Sequence, residues 1–284
     1  MEGKRICVYG AGLMGHGIAQ VVASKGFSVA LRDRDEACLE KAMRGIRSNL
    51  DKQVAKGKIK AEEAEAVLAR IRPTMSDEEA LVLADVVIEA VPERLEVKRS
   101  VLAEAEAGAP AGALLASNTS SLSITELQSG LARPGRMLGL HFFNPVHINR
   151  LVEVVRGART DESAVADAVA FARRLGKEPI VVADSPGFAS TRLGVLLGLE
   201  AMRMVEEGVA SPEAIDAAME LGYRHPMGPL KLTDLVGLDV RLDIATYLHE
   251  RLGERFRPPE ILKRMVAEGK LGRKTGQGFY RWEE

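Results

Sequence analysis

Hydrophobic and polar positions follow two different regimes along the chain. Up to residue 184, short apolar runs typical of buried strands, such as residues 6–9, 27–31 and 86–90, alternate with longer segments whose apolar residues recur at helical spacing. Beyond residue 184 the helical spacing continues alone. We therefore predict an α/β domain over residues 1–184, built on a doubly wound, mostly parallel sheet, and a smaller all-α domain over residues 185–284.

Two segments refine this outline. Residues 36–71 are long and charged, have a thin apolar stripe and break near Gly57, which predicts a helical hairpin that projects from the first domain. Four lysines, at positions 52, 56, 58 and 60, cluster near its tip, and composition alone favours neither a solvated surface nor an anion-binding one. In the second domain, Ser211 and Pro212 predict the start of a helix, and further helices are expected over about residues 230–252 and 259–268.

The composition argues against nucleic acid, membranes and metal ions as partners. A formal net charge of -1 over 284 residues gives no electrostatic reason to bind nucleic acid or an anionic membrane. The chain shows no secretory signal pattern and no apolar run long enough to span a bilayer. Cys7 and Cys38 fit neither a disulfide framework nor a metal-ligand cluster. We expect a soluble cytoplasmic protein without a metal, nucleic-acid or membrane partner.

A glycine-rich turn follows the first predicted strand and opens a helix. Its sequence, GAGLMG, begins at residue 10. The first glycine would permit a tight turn, the second would let the backbone approach a pyrophosphate, and the third would bring the helix close to the strand. This order predicts a Rossmann-type dinucleotide site, with cofactor contacts from Gly10, Gly12, Leu13, Met14 and Gly15.

The second predicted strand leads to an acid that bears on the choice of cofactor. Asp33 lies about 20 residues beyond the glycines, where an acid binds the adenosine ribose hydroxyls of NAD. Arg32 and Arg34 flank it and could instead favour the 2'-phosphate of NADP. We predict NAD and keep NADP as the alternative.

Polar side chains collect where later strands end. Glu93 and Lys98 follow the run at residues 86–90, the hydroxyl-rich turn SNTSS follows another strand, and His141 ends the strand in GLHFFNPV. Glu153 lies inside the apolar run LVEVV, where a carboxylate is costly unless it meets a donor. We hypothesise that Glu153 hydrogen-bonds one nitrogen of His141, so that the other can act as a base.

Seven motifs resemble those of the 3-hydroxyacyl-CoA dehydrogenases, including the short-chain 3-hydroxybutyryl-CoA enzymes. They occur in order at matching spacing over nearly the whole chain. The resemblance implies a reversible NAD-dependent oxidation of (3S)-3-hydroxyacyl-CoA to 3-ketoacyl-CoA, and a homodimer formed through the helical domain. The motifs are GAGLMGHGIAQ, SNTSSLSI, GLHFFNPV, LVEVV, DSPGF, HPMGPLKLTDLVGLD and GRKTGQGFY.

The resemblance assigns catalytic roles by position. In this family the histidine of HFFNP is the catalytic base and the glutamate of the following LVEV strand orients it; these correspond to His141 and Glu153. Ser120, the second serine of SNTSS, is similar to the family's substrate-contacting serine, and we place it with the catalytic residues. Asn144 matches the asparagine beside the nicotinamide.

The resemblance also assigns binding roles. Glu93 and Lys98 resemble the family's contacts to the cofactor ribose, and Asn49 and Lys56 occupy hairpin positions that face coenzyme A. This favours the anion-binding interpretation of the lysine cluster. Lysines there would attract the phosphates of the substrate as mobile point charges, and salt would weaken that attraction.

One position departs from the family pattern. Where the family usually has asparagine in the motif after PGF, this chain reads PGFASTRLG and has Thr191. A threonine hydroxyl cannot offer the paired donor and acceptor of an amide. We expect Thr191 to bind substrate, directly or through a water, and to affect how the carbonyl is held and which acyl chain is preferred.

Two other functions are compatible with parts of the sequence. An NAD(P)-dependent dehydrogenase of a free hydroxy acid would share the fold, but the charged hairpin argues against it. A catalytically weak nucleotide-binding relative would tolerate Thr191, but the presence of His141, Glu153 and Ser120 argues against that function.

Overall fold

The computed structural model describes residues 4–283, and the chain divides into two compact units, one ending at Ser185 and the other beginning at Pro186. The first unit contains one eight-stranded sheet. Its strands are β1 (Arg5–Tyr9), β2 (Ser28–Arg32), β3 (Ile71–Thr74), β4 (Val86–Glu89), β5 (Leu114–Ser117), β6 (Met137–Phe142), β7 (Leu151–Arg156) and β8 (Glu178–Ala183).

The order of the strands confirms the predicted doubly wound sheet. Across the sheet the strands run β3-β2-β1-β4-β5-β6-β7-β8. Strands β2 and β3 therefore extend to one side of β1, and the strands from β4 onward are added on its other side. Every neighbouring pair is parallel except β6 and β7, which are antiparallel. The carboxyl ends of β1, β2, β4, β5 and β6 therefore meet at one edge, where such sheets bind ligands.

Helices cover both faces of the sheet. They are α1 (Leu13–Ser24), α2 (Glu36–Ala55), α3 (Ala61–Ala69), α4 (Asp77–Leu81), α5 (Leu95–Gly108), α6 (Ile124–Gln128) and α7 (Glu162–Arg174). Helices α2 and α3 form the predicted hairpin. One face of it joins the core under α1 through Leu39, Ile46, Leu50 and Val67, and its opposite face is exposed.

The second unit is helical, as predicted. Its helices are α8 (Ser190–Glu206), α9 (Pro212–Ala217), α10 (Pro229–Val236), α11 (Leu238–Leu252) and α12 (Glu260–Ala267). Ser211 caps α9 by accepting a hydrogen bond from the backbone of Ala214. The prediction of one helix over residues 230–252 is wrong, because Gly237, with φ of 104°, separates α10 from α11. Among residues 4–283, no helix has the length and apolar character needed to cross a bilayer.

Candidate active site

The loop after β1 is shaped to receive a dinucleotide. Gly10 has φ of 94°, and a Cβ there would lie 2.7 Å from the carbonyl oxygen of Ala90. A Cβ at Gly15 would overlap the carbonyl oxygen of Gly10. The first turn of α1 can therefore pack this closely against the loop only if residue 15 is glycine. At Gly12, no atom of residues 4–283 beyond its chain neighbours lies within 4 Å of an added Cβ. That open backbone fits a pyrophosphate at the start of α1.

Asp33 turns towards this loop. Its Oδ2 accepts a hydrogen bond from the backbone N–H of Ala11 at 2.7 Å, and its Oδ1 accepts one from the N–H of Asp35 at 3.1 Å. Arg32 makes different contacts, since its Nε lies 2.7 Å from Oδ1 of Asp77. Of these two neighbouring residues at the end of β2, Asp33 therefore borders the glycine loop, whereas Arg32 contacts Asp77.

A cleft of about 320 Å³ lies at the carboxyl edge of the sheet. Met14, from the first turn of α1, joins it to the glycine loop. Besides apolar and backbone groups of Ala90, Val91, Phe142 and Phe143, its walls include six side chains proposed from the sequence and one that was not, Asn118. The six are Met14, Glu93, Lys98, Ser120, His141 and Asn144.

The register of β6 and β7 places His141 opposite Glu153. In this antiparallel pair His141 is the direct partner of Glu153, and Phe142 is the partner of Val152. Directly opposed residues on neighbouring antiparallel strands project to the same face, with Cβ atoms about 4.5 to 5.5 Å apart. The sheet itself therefore brings the two side chains together.

The two side chains form a buried pair. Nδ1 of His141 lies 2.8 Å from Oε2 of Glu153, and Glu153 is fully buried while His141 is 5% exposed. Because an ionised carboxylate only accepts hydrogen bonds, this contact favours the tautomer with its hydrogen on Nδ1 and the basic lone pair on Nε2. The carboxylate also offsets the positive charge that the ring gains when Nε2 is protonated.

Neighbouring groups hold the end of β6 in place. The ring of Phe143 lies against that of His141, with centroids 4.2 Å apart and planes inclined by 49°. Oδ1 of Asn118 accepts a hydrogen bond from the backbone N–H of Phe142 at 2.8 Å, which ties the end of β6 to the segment after β5. These contacts restrict the position of the imidazole within the cleft.

A second set of charges lies on the β4 side of the cleft. Glu89, the last residue of β4, is fully buried; its Oε1 accepts hydrogen bonds from Nζ of Lys98 and the N–H of Val91, both at 2.7 Å. Its Oε2 accepts one from the hydroxyl of Ser117 at 2.5 Å. Nζ of Lys98 also lies 3.2 Å from Oε2 of Glu93. Burial raises the pKa of Glu89, and the charge of Lys98 opposes that rise.

Glu93 connects these charges to the hydroxyl-rich turn. Its Oε1 accepts hydrogen bonds from the hydroxyl of Thr119 at 2.6 Å, from the N–H of Ser120 at 2.9 Å and from the Ser120 hydroxyl at 3.3 Å. Desolvation alone would raise the pKa of Glu93, but the charge of Lys98 and these hydrogen bonds outweigh it and hold the pKa below its usual value. Glu93 is therefore an acceptor that orients Ser120 in the cleft.

The hairpin borders a second, basic cleft of about 490 Å³. Asn49 adjoins it, because its side-chain amide donates to Oε1 of Gln20, a lining residue, at 3.3 Å. Lys56 ends α2 and is exposed. One lining acid, Glu63, is outnumbered by basic residues: Lys25, Arg70, His147, Arg150 and Lys177.

Burial and neighbouring positive charges lower the pKa values of two residues that line this second cleft. Burial, and then the charges of Lys177 and Lys58, lower the pKa of His147. Burial, and then the charge of Lys25, lower the pKa of Lys177. Lys177 donates to the carbonyl oxygens of Val146 and Asn149, and it thereby holds the loop that follows Asn144.

Thr191 lies in the first turn of α8, in the second unit, and is half-buried. Its part in holding the substrate stays a prediction.

Sequence reasoning missed four residues that shape the clefts. Glu89 ends the apolar run VVIE, which signals only a strand. Asn118 and Phe143 lie inside quoted motifs but carried no role of their own. Lys177 gave no signal, because its partners are carbonyl groups of a loop about 30 residues earlier in the chain.

Two family models match the chain. The model described as 3-hydroxyacyl-CoA dehydrogenase, NAD binding domain, matches residues 5–185, and that described as 3-hydroxyacyl-CoA dehydrogenase, C-terminal domain, matches residues 187–282. NAD is thus the cofactor of the domain that contains the glycine loop and the cleft. The match agrees with the predicted cofactor.

Individual relatives span the whole length. A probable 3-hydroxybutyryl-CoA dehydrogenase of Bacillus subtilis is 44% identical, covering 100% of this chain and 99% of the relative. The mitochondrial hydroxyacyl-coenzyme A dehydrogenase of Homo sapiens is 42% identical, covering 99% and 91%. The crystal structure of (S)-3-hydroxybutyryl-CoA dehydrogenase from Ralstonia eutropha superposes with a TM-score of 0.95 at 39% identity, over 100% of both chains. The chain belongs to the 3-hydroxyacyl-CoA dehydrogenase family, as its motifs predicted.

Proposed function

We propose that the protein converts (3S)-3-hydroxyacyl-CoA and NAD⁺ reversibly to 3-ketoacyl-CoA, NADH and a proton. The observation that carries this proposal is the buried contact between His141 and Glu153, which lies in a cleft of the family's NAD-binding domain. The names of the relatives support acyl-CoA thioesters, with short chains among them, as the substrate class.

His141 acts as the general base in the oxidation. Its Nε2 takes the proton of the substrate hydroxyl, and Glu153 stabilises the imidazolium through Nδ1. In the reverse direction the same nitrogen returns the proton to the keto oxygen. Bound NAD supplies the hydride acceptor.

Residues around the cleft hold the two reactants. The glycine loop, with Leu13 and Met14, would receive the pyrophosphate, and Asp33 would accept hydrogen bonds from the adenosine ribose. Asn144 would lie beside the nicotinamide, and Glu93 and Lys98 would border the cofactor ribose. Lys98 is 1% exposed, so it supports the site mainly by fixing Glu93 rather than by reaching across the cleft.

Ser120 orients the substrate oxygen. Its hydroxyl and its backbone N–H both donate hydrogen bonds to Glu93. These contacts hold the turn in place, so that the Ser120 hydroxyl can also hydrogen-bond to the substrate. Thr191 replaces the asparagine usual in the family and influences the preferred acyl chain.

The hairpin binds the coenzyme A part of the substrate. Asn49 and Lys56 face it, and the neighbouring basic cleft offers a positive field for its phosphates. A free hydroxy acid lacks the coenzyme A phosphates that this surface would attract.

The organisation proposed for the chain has a cofactor domain over residues 1–184 and a substrate and dimerisation domain over residues 185–284. The protein is a cytoplasmic homodimer. Support for dimerisation comes from large apolar side chains of the second unit that are exposed in the single chain, including Leu221 at 84% and Tyr223 at 75%. Sedimentation analysis of the purified protein tests this, and a monomer at micromolar concentration would contradict it.

One assay separates the proposed function from its alternatives. NADH oxidation is followed by absorbance with acetoacetyl-CoA, a longer 3-ketoacyl-CoA and free acetoacetate in parallel. We expect turnover with the thioesters alone, and their ratio measures the chain preference that accompanies Thr191. Turnover of free acetoacetate at a comparable rate would favour a hydroxy-acid dehydrogenase. Measurable NADH binding without turnover of either thioester would favour a binding protein.

A further inference from the structure

Arg32 directly precedes Asp33, but its side chain pairs with a different part of the domain. Nε of Arg32 lies 2.7 Å from Oδ1 of Asp77, and its Nη2 donates to Oδ2 of the same carboxylate at 2.9 Å. Asp77 is the first residue of α4 and lies 45 positions along the chain. The ion pair therefore joins the end of β2 to a separate element.

Tyr9 completes the cluster. Its hydroxyl donates to Oδ1 of Asp77 at 2.7 Å, and the guanidinium carbon of Arg32 lies 4.9 Å from the centre of its ring. Tyr9 is fully buried and is the register partner of Arg32 across β1 and β2. The guanidinium thus has a carboxylate at its edge and an aromatic face beneath it, the two environments that arginine prefers.

The cluster and Asp33 lie on opposite sides of the sheet. Successive side chains of a strand point to opposite faces. On β2, Val29 and Leu31 belong to the core beneath α1, which places Arg32 on the other face with α4. Asp33 returns to the α1 side and accepts the N–H of Ala11 in the glycine loop.

This arrangement bears on the choice between NAD and NADP. Enzymes that take NADP commonly use an arginine near the end of β2 to bind the 2'-phosphate, whereas an acid at that position binds the free ribose hydroxyls. The sequence offers both an acid and flanking arginines. We propose that Asp77 is a specificity-determining residue, because it holds Arg32 against Tyr9 and so withholds a guanidinium from the 2'-phosphate of NADP.

Cofactor choice then has two components in this chain. The negative charge of Asp33 repels the 2'-phosphate of NADP. Asp77 pairs with the guanidinium of Arg32, which could otherwise offset that repulsion. The inference rests on the proposed function only in taking NAD as the working cofactor. Its test uses nucleotide binding without thioester, so its failure is distinguishable from failure of the catalytic proposal.

The experiment measures dissociation constants for NADH and NADPH by the fluorescence of the bound nicotinamide. The parent is Asp33→Ser, which removes the repulsive charge, and the key variant adds Asp77→Asn, whose oxygen can still accept from Tyr9. We expect the added change to improve the preference for NADPH by about tenfold, equivalent to about 1.4 kcal/mol. Arg34 is exposed and present in both proteins, so its contribution cancels.

Two further variants make the result specific. Adding Arg32→Gln to the double variant should abolish the gain, because the gain depends on the released guanidinium. Adding Tyr9→Phe to Asp33→Ser removes a hydrogen bond of the same cluster but keeps the ion pair, and it should leave the preference unchanged. Thermal melting of each variant establishes that it is folded.

Any one of four results would overturn the proposal. The preference could be the same with and without Asp77→Asn, the gain could persist without Arg32, or Tyr9→Phe could produce the same gain. A single Arg32→Gln variant that lost NADH binding would also contradict it, since Arg32 would then contact the working cofactor.

Discussion

The cleft contains two sets of ionisable side chains, and the fold assembles them in different ways. His141 and Glu153 form one pair, made by the register of two neighbouring strands and closed by a contact of 2.8 Å. On the other side, Glu89, Lys98 and Glu93 form a cluster of three charges that also needs hydroxyl donors from β5 and the turn after it. The pair is suited to moving a proton, whereas the cluster fixes side chains in place.

This difference predicts where each substitution acts. Changes in the pair should lower the rate of the chemical step with cofactor binding retained. Changes in the cluster should lower stability or binding, because a buried charge that loses its partner destabilises the folded state.

The largest effect is expected at the base. His141→Ala should lower turnover with acetoacetyl-CoA by about 10² to 10⁴, the range usual for general acid–base catalysis, with NADH binding unchanged. Steady-state rates and fluorescence titration check both parts. Near-normal turnover would show that another group moves the proton.

Glu153→Gln should have a smaller effect, about tenfold to a hundredfold on turnover, since a hydrogen bond to a charged group contributes about 1.5 to 3 kcal/mol. The amide can still accept from Nδ1 but carries no charge to stabilise the imidazolium. Steady-state rates with acetoacetyl-CoA and NADH measure this loss. Turnover equal to that of the wild type would contradict the pairing.

On the cluster side, Glu89→Gln should reduce the free energy of unfolding by about 1 to 3 kcal/mol, because the amide places a donor among the donors that now surround a carboxylate. Urea unfolding measures this. Glu104→Gln, on the exposed face of α5, is the matched control and should change little. Equal stability of the two variants would mean that the cluster contributes nothing net.

A weaker effect is expected at the hairpin. Lys56→Gln should raise KM for the thioester by roughly twofold to fivefold at low salt, the effect of one exposed charge contact. The difference should shrink as ionic strength rises, because salt screens exposed charges. Lys41→Gln, exposed at the other end of α2, is the control. A salt-independent change would argue against phosphate binding.

The smallest effect concerns acid stability. The pKa of Glu93 is lower in the folded protein, so its contribution to stability is present above its unfolded pKa, near 4.3, and is lost as the pH falls through the folded value. Unfolding free energies measured from pH 6 to pH 3 should therefore fall less steeply in Glu93→Gln than in the wild type. A parallel decline in both proteins would rule out this contribution.

The sequence was sufficient for the elements that depend on local pattern. The glycine loop, the hairpin and the change to an all-helical second unit follow from periodicity and turn residues, and the motif HFFNP with LVEV identified the pair. The continuous helix predicted over residues 230–252 failed because Gly237 alone does not reveal its positive φ in the sequence.

Features that depend on pairing across the chain were not accessible. Nothing in the sequence fixes β6 and β7 as antiparallel or sets the register that places His141 opposite Glu153. The contacts of Glu89 with Lys98 and of Arg32 with Asp77 depend on which faces of distant elements meet. The sequence alone leaves Arg32 open to a role in NADP binding, whereas in the fold its side chain is paired with Asp77.

The most direct test that His141 and Glu153 act as one catalytic unit is a double-mutant cycle on the rate of hydride transfer, measured in single turnovers with NADH bound and acetoacetyl-CoA added. The double variant, His141→Ala with Glu153→Gln, should be no slower than His141→Ala alone, because Glu153 acts only through the imidazole. If the two losses multiply in the double variant, Glu153 acts independently of His141 and the pair is not the catalytic unit.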